Sequence, residues 1–399
     1  MGKAKFNPQK YRPVANDGHP DLSPDSIDYQ EYWEQELDRC LNGFKPKGMK
    51  PISGKHYFYL NYYMILGNDG SKGNRKTLIH PWYRELDHEY FDMFEQCKDN
   101  GKGMIVIKAR DKGFSYMNSG MLAHEFTFYP HNDVGIAAGL QATADAFFDK
   151  TKKGLNALNS NFKHSWIKDT DGILRSGYKK KNKDGKWEIG GYQSTILCRT
   201  MDNPEVFKGE RLSLMVFEEA GEFKSLKNAY MSSKACFMDG NIQFGVPIVG
   251  GTGGDISKAS KDFMDMYYNY EAYNLIPTFI PASRAYYGFF DINKGTENKI
   301  GAEKKLLKER EVIQKSGDRQ AYNLHIQNYP LTVEEAFLNT KTSRFDNSLL
   351  NAQRSRIMSS QDFRNQIQTG YLHWAFDDQD NNIVKWEPHP DGPYKILQH

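Results

Sequence analysis

Met104-Ile105-Val106-Ile107-Lys108-Ala109-Arg110-Asp111-Lys112-Gly113-Phe114-Ser115 runs from an unbroken apolar stretch into a turn with two cations and a glycine. A short apolar run ending at such a turn predicts a buried strand over 104–108. The periodic apolar residues after it predict a helix from Ser115 to Phe128. A strand, turn and helix joined in this way aim backbone N–H groups and the positive helix end at an anion, the geometry that binds phosphate. Measured against GxxxxGK[ST], the stretch departs twice: Lys108 stands where the first Gly is expected and Phe114 where the Lys is expected. Gly113 and Ser115 match. Lys108, Arg110 and Lys112 supply cations from the N-terminal side instead. The same residues also suit a basic loop with Ser115 capping a helix, so the rest of the chain must decide.

Two further segments bear on that choice. Leu212-Ser213-Leu214-Met215-Val216-Phe217-Glu218-Glu219-Ala220 is an apolar run ending in adjacent carboxylates. In phosphoryl-transfer sites one such acid helps hold Mg²⁺ and another polarises the attacking water. Ligands of open α/β sheets also sit at the carboxyl ends of the strands. Glu218 stands where Asp is usual, and the alternative is a pair of carboxylates fraying into solvent. Val246-Pro247-Ile248-Val249-Gly250-Gly251-Thr252-Gly253-Gly254 is a strand entering a Gly-rich loop with a single hydroxyl. Thr252 suits a tight turn, or a sensor that passes on the state of a γ-phosphate. GxGxxG is not satisfied, so this is not a dinucleotide fingerprint.

Around these segments, short apolar strands alternate with helical patterns. Helices are expected through about Lys98 and over 141–158, and strands over 133–139, 194–200, 212–219 and 243–251. This alternation predicts an α/β chain with a mainly parallel, doubly wound sheet flanked by helices, a P-loop NTPase architecture with small helical and hairpin additions at both ends. Residues 1–80 read as an N-terminal arm and helical lead-in, 81–345 as the ATPase domain, and 346–399 as a linker or lid segment. Within the lead-in, 1–27 lacks periodicity and reads as extended, while His56-Tyr57-Phe58-Tyr59-Leu60-Asn61-Tyr62-Tyr63 is an aromatic block suited to a core. Lys179, Lys180, Lys181, Lys183 and Lys186 sit around Asp184-Gly185, a hairpin tip. They are either solvated or grip a nucleic-acid backbone. Thr332-Val333-Glu334-Glu335 has the capping-box form.

Composition excludes other classes. The 399 residues carry Lys+Arg 53 against Asp+Glu 50, a net charge of +3, which does not by itself point to nucleic acid. Mean hydropathy is −0.73, and no apolar run approaches the ~18 residues of a membrane helix. The N-terminus lacks the apolar core of a secretory signal. Cys40, Cys97, Cys198 and Cys236 are too scattered for a CxxC metal site or a disulfide framework, so reduced thiols are expected.

In their order, the three segments, with RTMDNPEVFKGERLSLMVFEEAGEF at 199–223 and NYPLTVEEAFLNT at 328–340, resemble the large terminase subunit of tailed phages, the DNA-packaging motor. The likeness spans about residues 80–345. It implies a deviant Walker A phosphate loop, KARDKGFS, in which an early Lys or Arg serves alongside or instead of the usual one. It also implies an arginine-containing turn, Lys208-Gly209-Glu210-Arg211, before the Walker B strand. Lys108, Arg110 and Gly113 would then contact phosphates, Asp111, Lys112 and Phe114 would complete the ATP-binding loop, and Ser115 would bind Mg²⁺. Glu218 would lie near the metal, Glu219 would be the catalytic carboxylate assisted by Arg110, and Thr252 would couple hydrolysis to movement. Tyr83 and Arg84 are candidates for the adenine, although Trp82 and Tyr83 suit a core equally.

The implied cofactors are ATP and Mg²⁺. The implied partners are double-stranded DNA, a portal protein, a small terminase subunit and further copies of the chain in a ring, in the host cytoplasm with no membrane. Large terminases continue into a nuclease domain. Here the sequence stops at GPYKILQH, and Asp377, Asp378 and Asp380 read as a hairpin tip, so no nuclease activity is expected from this chain. The competing readings are a helicase-like P-loop ATPase and a non-catalytic DNA-binding virion assembly protein with a decayed nucleotide site.

Overall fold

The apolar runs pair as one sheet in a computed structural model of the chain, which describes residues 6–68, 76–254, 260–337, 353, 355–357, 367–376 and 382–397. The chain divides into two compact units, Met1–Thr340 and Lys341–His399.

The first unit opens with α1 (Pro13–Asp17), α2 (Ile27–Asn42) and α3 (Gly54–Asn61), followed by the ribbon β1 (Ile65–Asn68) and β2 (Lys76–Ile79). The expected extended arm is not what forms. Tyr11 is buried and stacks on Tyr83 with ring centroids 5.0 Å apart. Burial of apolar and aromatic surface outweighs the weak local propensity of this segment. The aromatic block is core, as its composition implies, because its polar tips find partners. The hydroxyls of Tyr57 and Tyr62 donate to Glu36 Oε2 at 2.6 and 2.7 Å. Tyr63 lies so close to Gly154 that a Cβ there would meet its ring at 2.1 Å.

Next come α4 (Glu85–Asp99), β3 (Gly103–Lys108), α5 (Phe114–Phe128), β4 (Asp133–Ala138) and α6 (Gln141–Asn156). The strands β5 (Trp166–Thr170), β6 (Ile173–Ser176), β7 (Tyr178–Lys181), β8 (Trp187–Gly190), β9 (Thr195–Thr200) and β10 (Leu212–Glu218) follow. After α7 (Leu226–Ser233) lie the two-residue strands β11 (Met238–Asp239) and β12 (Ile242–Gln243), then β13 (Val246–Gly251), α8 (Ser260–Tyr268) and β14 (Leu275–Ile280). The ribbon β15 (Phe290–Asp291) and β16 (Thr296–Glu297) leads to α9 (Lys299–Lys315), α10 (Arg319–Asn328) and α11 (Val333–Ala336).

The sheet has eight strands in the order β14-β3-β13-β10-β4-β9-β6-β5. From β14 to β9 every neighbour is parallel, while β6 and β5 close the edge antiparallel. This is the α/β, mainly parallel, helix-flanked sheet of a P-loop NTPase. Its central strands are buried along their whole length, which is why they read as continuous apolar runs rather than alternating ones.

The capping box forms only in half. Thr332 Oγ1 accepts from Glu335 N at 3.4 Å, but Glu335 Oε2 turns to Leu331 N at 2.6 Å and to Arg310 at 2.8 Å. A charge-assisted pair with a buried guanidinium is stronger than a neutral N–H contact at the cap.

In the second unit β17 (Ile367–Phe376) pairs antiparallel with β18 (Asn382–Pro388), the hairpin expected from sequence, and with a third strand, β19 (Tyr394–Leu397). Asp377, Asp378 and Asp380 lie outside the described residues.

Candidate active site

Three parallel strands deliver the chemistry. In the order β3-β13-β10, Ile107 pairs with Gly251, and Gly250 pairs with Glu218. One residue further on, Lys108, Thr252 and Glu219 therefore emerge side by side at the carboxyl edge of the sheet. Lys108 Nζ donates to Glu219 Oε1 at 2.6 Å. Thr252 gives the other oxygen, Oε2, two hydrogen bonds: from its backbone N at 2.9 Å and from Oγ1 at 3.1 Å. Behind them Ser115 Oγ hydrogen-bonds Glu218 Oε1, tying the first turn of α5 to the end of β10.

Backbone detail makes this possible. Glu219 adopts φ 49° and ψ 61°, a left-handed conformation unfavourable for a non-glycine residue, which turns its side chain back over the sheet edge. A Cβ on Gly251 would meet Glu219 Oε2 at 2.9 Å, so a side chain there would displace the carboxylate. A Cβ on Gly250 would meet the Phe114 ring at 2.2 Å. Phe114, standing where a lysine is expected, is thus a buried plug between β13 and α5, and its ring does not face the loop.

The two acids are driven apart in acidity. Burial pushes the Glu218 carboxyl up, the neighbouring Glu219 charge adds to this, and Lys108 and Ser115 only partly oppose it, leaving it at about 7. Burial would raise Glu219 too, but Lys108 and the two Thr252 donors outweigh it and hold Glu219 below the usual carboxylate range. Glu219 is therefore the ionised partner at neutral pH.

Glu218 Oε2 is buried and has no hydrogen-bond partner among the described residues. An orphaned carboxylate oxygen beside a serine hydroxyl is the donor set that a hard cation such as Mg²⁺ takes, with waters and substrate phosphates completing its shell. The residues fit that ion.

The loop itself divides its cations. Arg110 donates through Nε to Asn328 Oδ1 at 2.7 Å at the exposed surface, and its backbone N donates to Asn328 O at 3.0 Å. Lys112 is only 3 % exposed; its Nζ donates to the carbonyls of Ala282 at 2.8 Å and Arg284 at 2.7 Å. Burial, reinforced by Arg84, lowers the Lys112 ammonium to about 8. Its side chain fastens the loop from beneath rather than facing a ligand. Arg84 Nη2 donates to Lys112 O at 3.0 Å and pairs with Asp87, so it too braces the loop. Asp111 and Gly113 take φ 62° and 79°, which gives the loop its tight curl.

Tyr83 is core, stacked against Tyr11 and His56, so its ring offers no face to an adenine. Ala282, Arg284 and Asn328 were invisible from sequence, because they act mainly through backbone carbonyls or a lone amide. NYP, at 328–330, was the sole signal near them.

No protein-family model matches this chain, and no curated protein does. Solved structures are similar in part. The large terminase ATPase domain of Thermus phage P74-26 is 13% identical with a TM-score of 0.33, over 41% of this chain and 64% of that one. The large terminase of bacteriophage HK97 is 11% identical with a TM-score of 0.41, over 68% of this chain and 53% of that one. That of a thermophilic bacteriophage, in complex with ADP, is 9% identical with a TM-score of 0.39, over 79% of this chain and 69% of that one. All three are phage large terminases. The chain spans 64% and 53% of the lengths of the first two.

Proposed function

We propose that this chain is the ATP-hydrolysing motor of viral DNA packaging, moving double-stranded DNA as a large terminase does. The observation that supports this most directly is the joining of Lys108, Glu219 and Thr252 at one sheet edge, with Ser115 on Glu218 beside them. A decayed nucleotide site would have no reason to keep two acids with opposite acidity at the end of one strand.

In this reading Lys108, Arg110 and the backbone N–H groups around Gly113 neutralise the phosphates, and Ser115 and Glu218 hold Mg²⁺. The metal supplies charge neutralisation across the phosphate oxygens. Glu219, ionised and aimed by Thr252, orients the attacking water and accepts its proton. Lys108 moves from Glu219 to the γ-phosphate as ATP enters, freeing the carboxylate only when substrate is present. Thr252, sharing a carboxylate with the catalytic step, reports the nucleotide state to the rest of the chain. The reading carries with it a ring of copies, a portal protein and a small terminase subunit in the host cytoplasm. No helix among the described residues is long and apolar enough to cross a membrane.

Phosphate release by the purified chain, with and without Mg²⁺, tests the proposal. Mg²⁺-dependent hydrolysis lost in Glu219→Gln supports it. Absence of nucleotide binding would leave the non-catalytic reading.

A further inference from the structure

The β7–β8 hairpin takes no part in the nucleotide site. β6 runs antiparallel to β9, with Ile173 opposite Leu197 and Arg175 opposite Thr195. Its last residue, Ser176, thus lies at the amino end of β9, and the hairpin that follows it leaves the sheet edge opposite the one that carries Lys108 and Glu219.

The turn is well specified. Asn182 Oδ1 accepts from the backbone N of Asp184 at 3.0 Å and of Lys186 at 2.9 Å, and Asn182 N donates to Lys186 O at 2.8 Å. Register then sorts the side chains. Lys180 faces Glu188 across one side of the ribbon, and their ion pair at 3.2 Å neutralises it. On the other side Lys179 is opposite Ile189 and Lys181 opposite Trp187, with no acid from either strand. Lys181 Nζ lies 5.4 Å from the centre of the Trp187 ring, and that ring is 67 % exposed. Lys183 extends the row at the tip. A protruding ribbon with one neutralised side and one cationic, aromatic side has a direction.

We infer that this side is a sequence-independent docking surface for the phosphate backbone of double-stranded DNA, an inference that rests on the motor reading and adds the surface it needs. Alternate residues of a strand lie roughly 6.7 Å apart, and phosphates on one DNA strand rise about 3.4 Å each. Lys179 and Lys181 therefore match every second phosphate. A two-stranded ribbon is also of a width that the major groove admits. Trp187 and Ile189 lie against sugar and base edges without reading them.

The experiment uses the full chain and two unrelated labelled duplexes across a salt series. Removing Lys179, Lys181 and Lys183 together (K179A, K181A and K183A in one variant) should flatten the slope of log K against log[salt] by about 2.7, at ~0.9 per phosphate. Trp187→Ala should weaken binding several-fold with the slope retained, and Lys180→Ala, on the neutralised side, should leave both nearly unchanged. Basal ATP hydrolysis should be untouched in all three. An unchanged slope in the triple variant, an equal loss in Lys180→Ala, tighter binding to single strands than to duplex, or a chain that does not bind duplex at all would overturn the inference. Loss of ATP hydrolysis in the unmodified chain, with hairpin-dependent duplex binding intact, would instead strike the motor reading alone.

Discussion

Lys108 and Glu219, 111 positions apart in the chain, meet at 2.6 Å across the carboxyl edge of the sheet, with Thr252 on the far side of the same carboxylate. The cation that would serve a phosphate and the base that would activate water hold each other in check without nucleotide. Replacing Glu219 by Gln should therefore do two things at once. Turnover should fall by at least ~10²–10⁴, the range for a positioned general base. Nucleotide affinity should hold or tighten, because Lys108 no longer has to leave an anionic partner. Phosphate release and binding of a fluorescent ATP analogue, measured on the same protein, check both.

Arg110 and Lys112 should fail differently. If Lys112 pointed at solvent, as the sequence allows, its loss would be mild. The structure reverses that expectation: Lys112→Ala leaves the Ala282 and Arg284 carbonyls without their donor, and a buried acceptor left unsatisfied costs about 1–3 kcal/mol. A lowered melting temperature should accompany its loss of activity. Arg110 is exposed and held by a single side-chain bond to Asn328. Arg110→Ala should melt like the parent while hydrolysis falls by roughly 10³–10⁵, the scale of arginines that stabilise phosphoryl transfer. Thermal melts beside turnover separate the two.

Thr252→Ala removes one of two Thr252 bonds to Glu219 Oε2 and keeps the backbone one. Basal hydrolysis should therefore drop less than about tenfold, since a single hydrogen bond to a charged group contributes ~1.5–3 kcal/mol at most and the second remains. Stimulation of hydrolysis by duplex DNA should disappear. If both survive intact, Thr252 only closes a turn.

Stability in acid should depend on one buried pair. Lys55 Nζ lies 2.9 Å from Glu125 Oε1, both side chains nearly inaccessible. Burial alone would raise Glu125, but Lys55 and the neighbouring His124 hold it at about 2, against an ordinary value of 4.5. A carboxyl lowered on folding stabilises the native state above its unfolded pKa and loses that contribution as pH falls towards its folded one. The window is pH 4.5 down to about 2, and the span corresponds to roughly 3 kcal/mol at ~1.4 kcal/mol per unit. Glu125→Gln should destabilise at neutral pH, by about 3–5 kcal/mol for a buried charge left unpaired, and should flatten this part of the acid limb. Denaturant melts across roughly pH 2–6 read both effects.

How far these residues could be seen in the sequence follows from where their partners lie. Strands 104–108, 212–218 and 246–251 were legible because full burial leaves uninterrupted apolar runs, and the acids and Thr252 because they stand at the ends of those runs. Phe114 looked like a defect in a motif until Gly250 proved to be the space it fills. The anchoring of Lys112 was not legible: its acceptors are main-chain carbonyls 170 and 172 positions away, and a carbonyl has no residue identity to read. The N-terminal segment misled for the opposite reason. Its local composition is that of a loop, and only the stacking of Tyr11 on Tyr83 gives it a fixed place.

Glu218 gives the last prediction, one in which a cation and pH act on the same atom. Burial first, then the Glu219 charge, raises its carboxyl to about 7 from 4.5. Between those values the folded chain holds a proton that the unfolded chain has already released, so this group makes the protein less stable as pH rises from 4.5 towards 7, and the loss levels off above. A divalent cation at Glu218 and Ser115 must displace that proton, and metal binding to a protonated ligand releases it to solvent. Mg²⁺ affinity should thus strengthen up to about tenfold per pH unit below 7 and flatten above it. Mg²⁺ should also raise the melting temperature at about pH 8 more than at about pH 6. Titrations of Mg²⁺ on either side of neutrality, with Glu218→Gln as the matched control, measure this directly. A variant that binds Mg²⁺ as the parent does, or a parent whose affinity ignores pH in this range, would place the cation elsewhere and return Glu218 to a structural role beneath the loop.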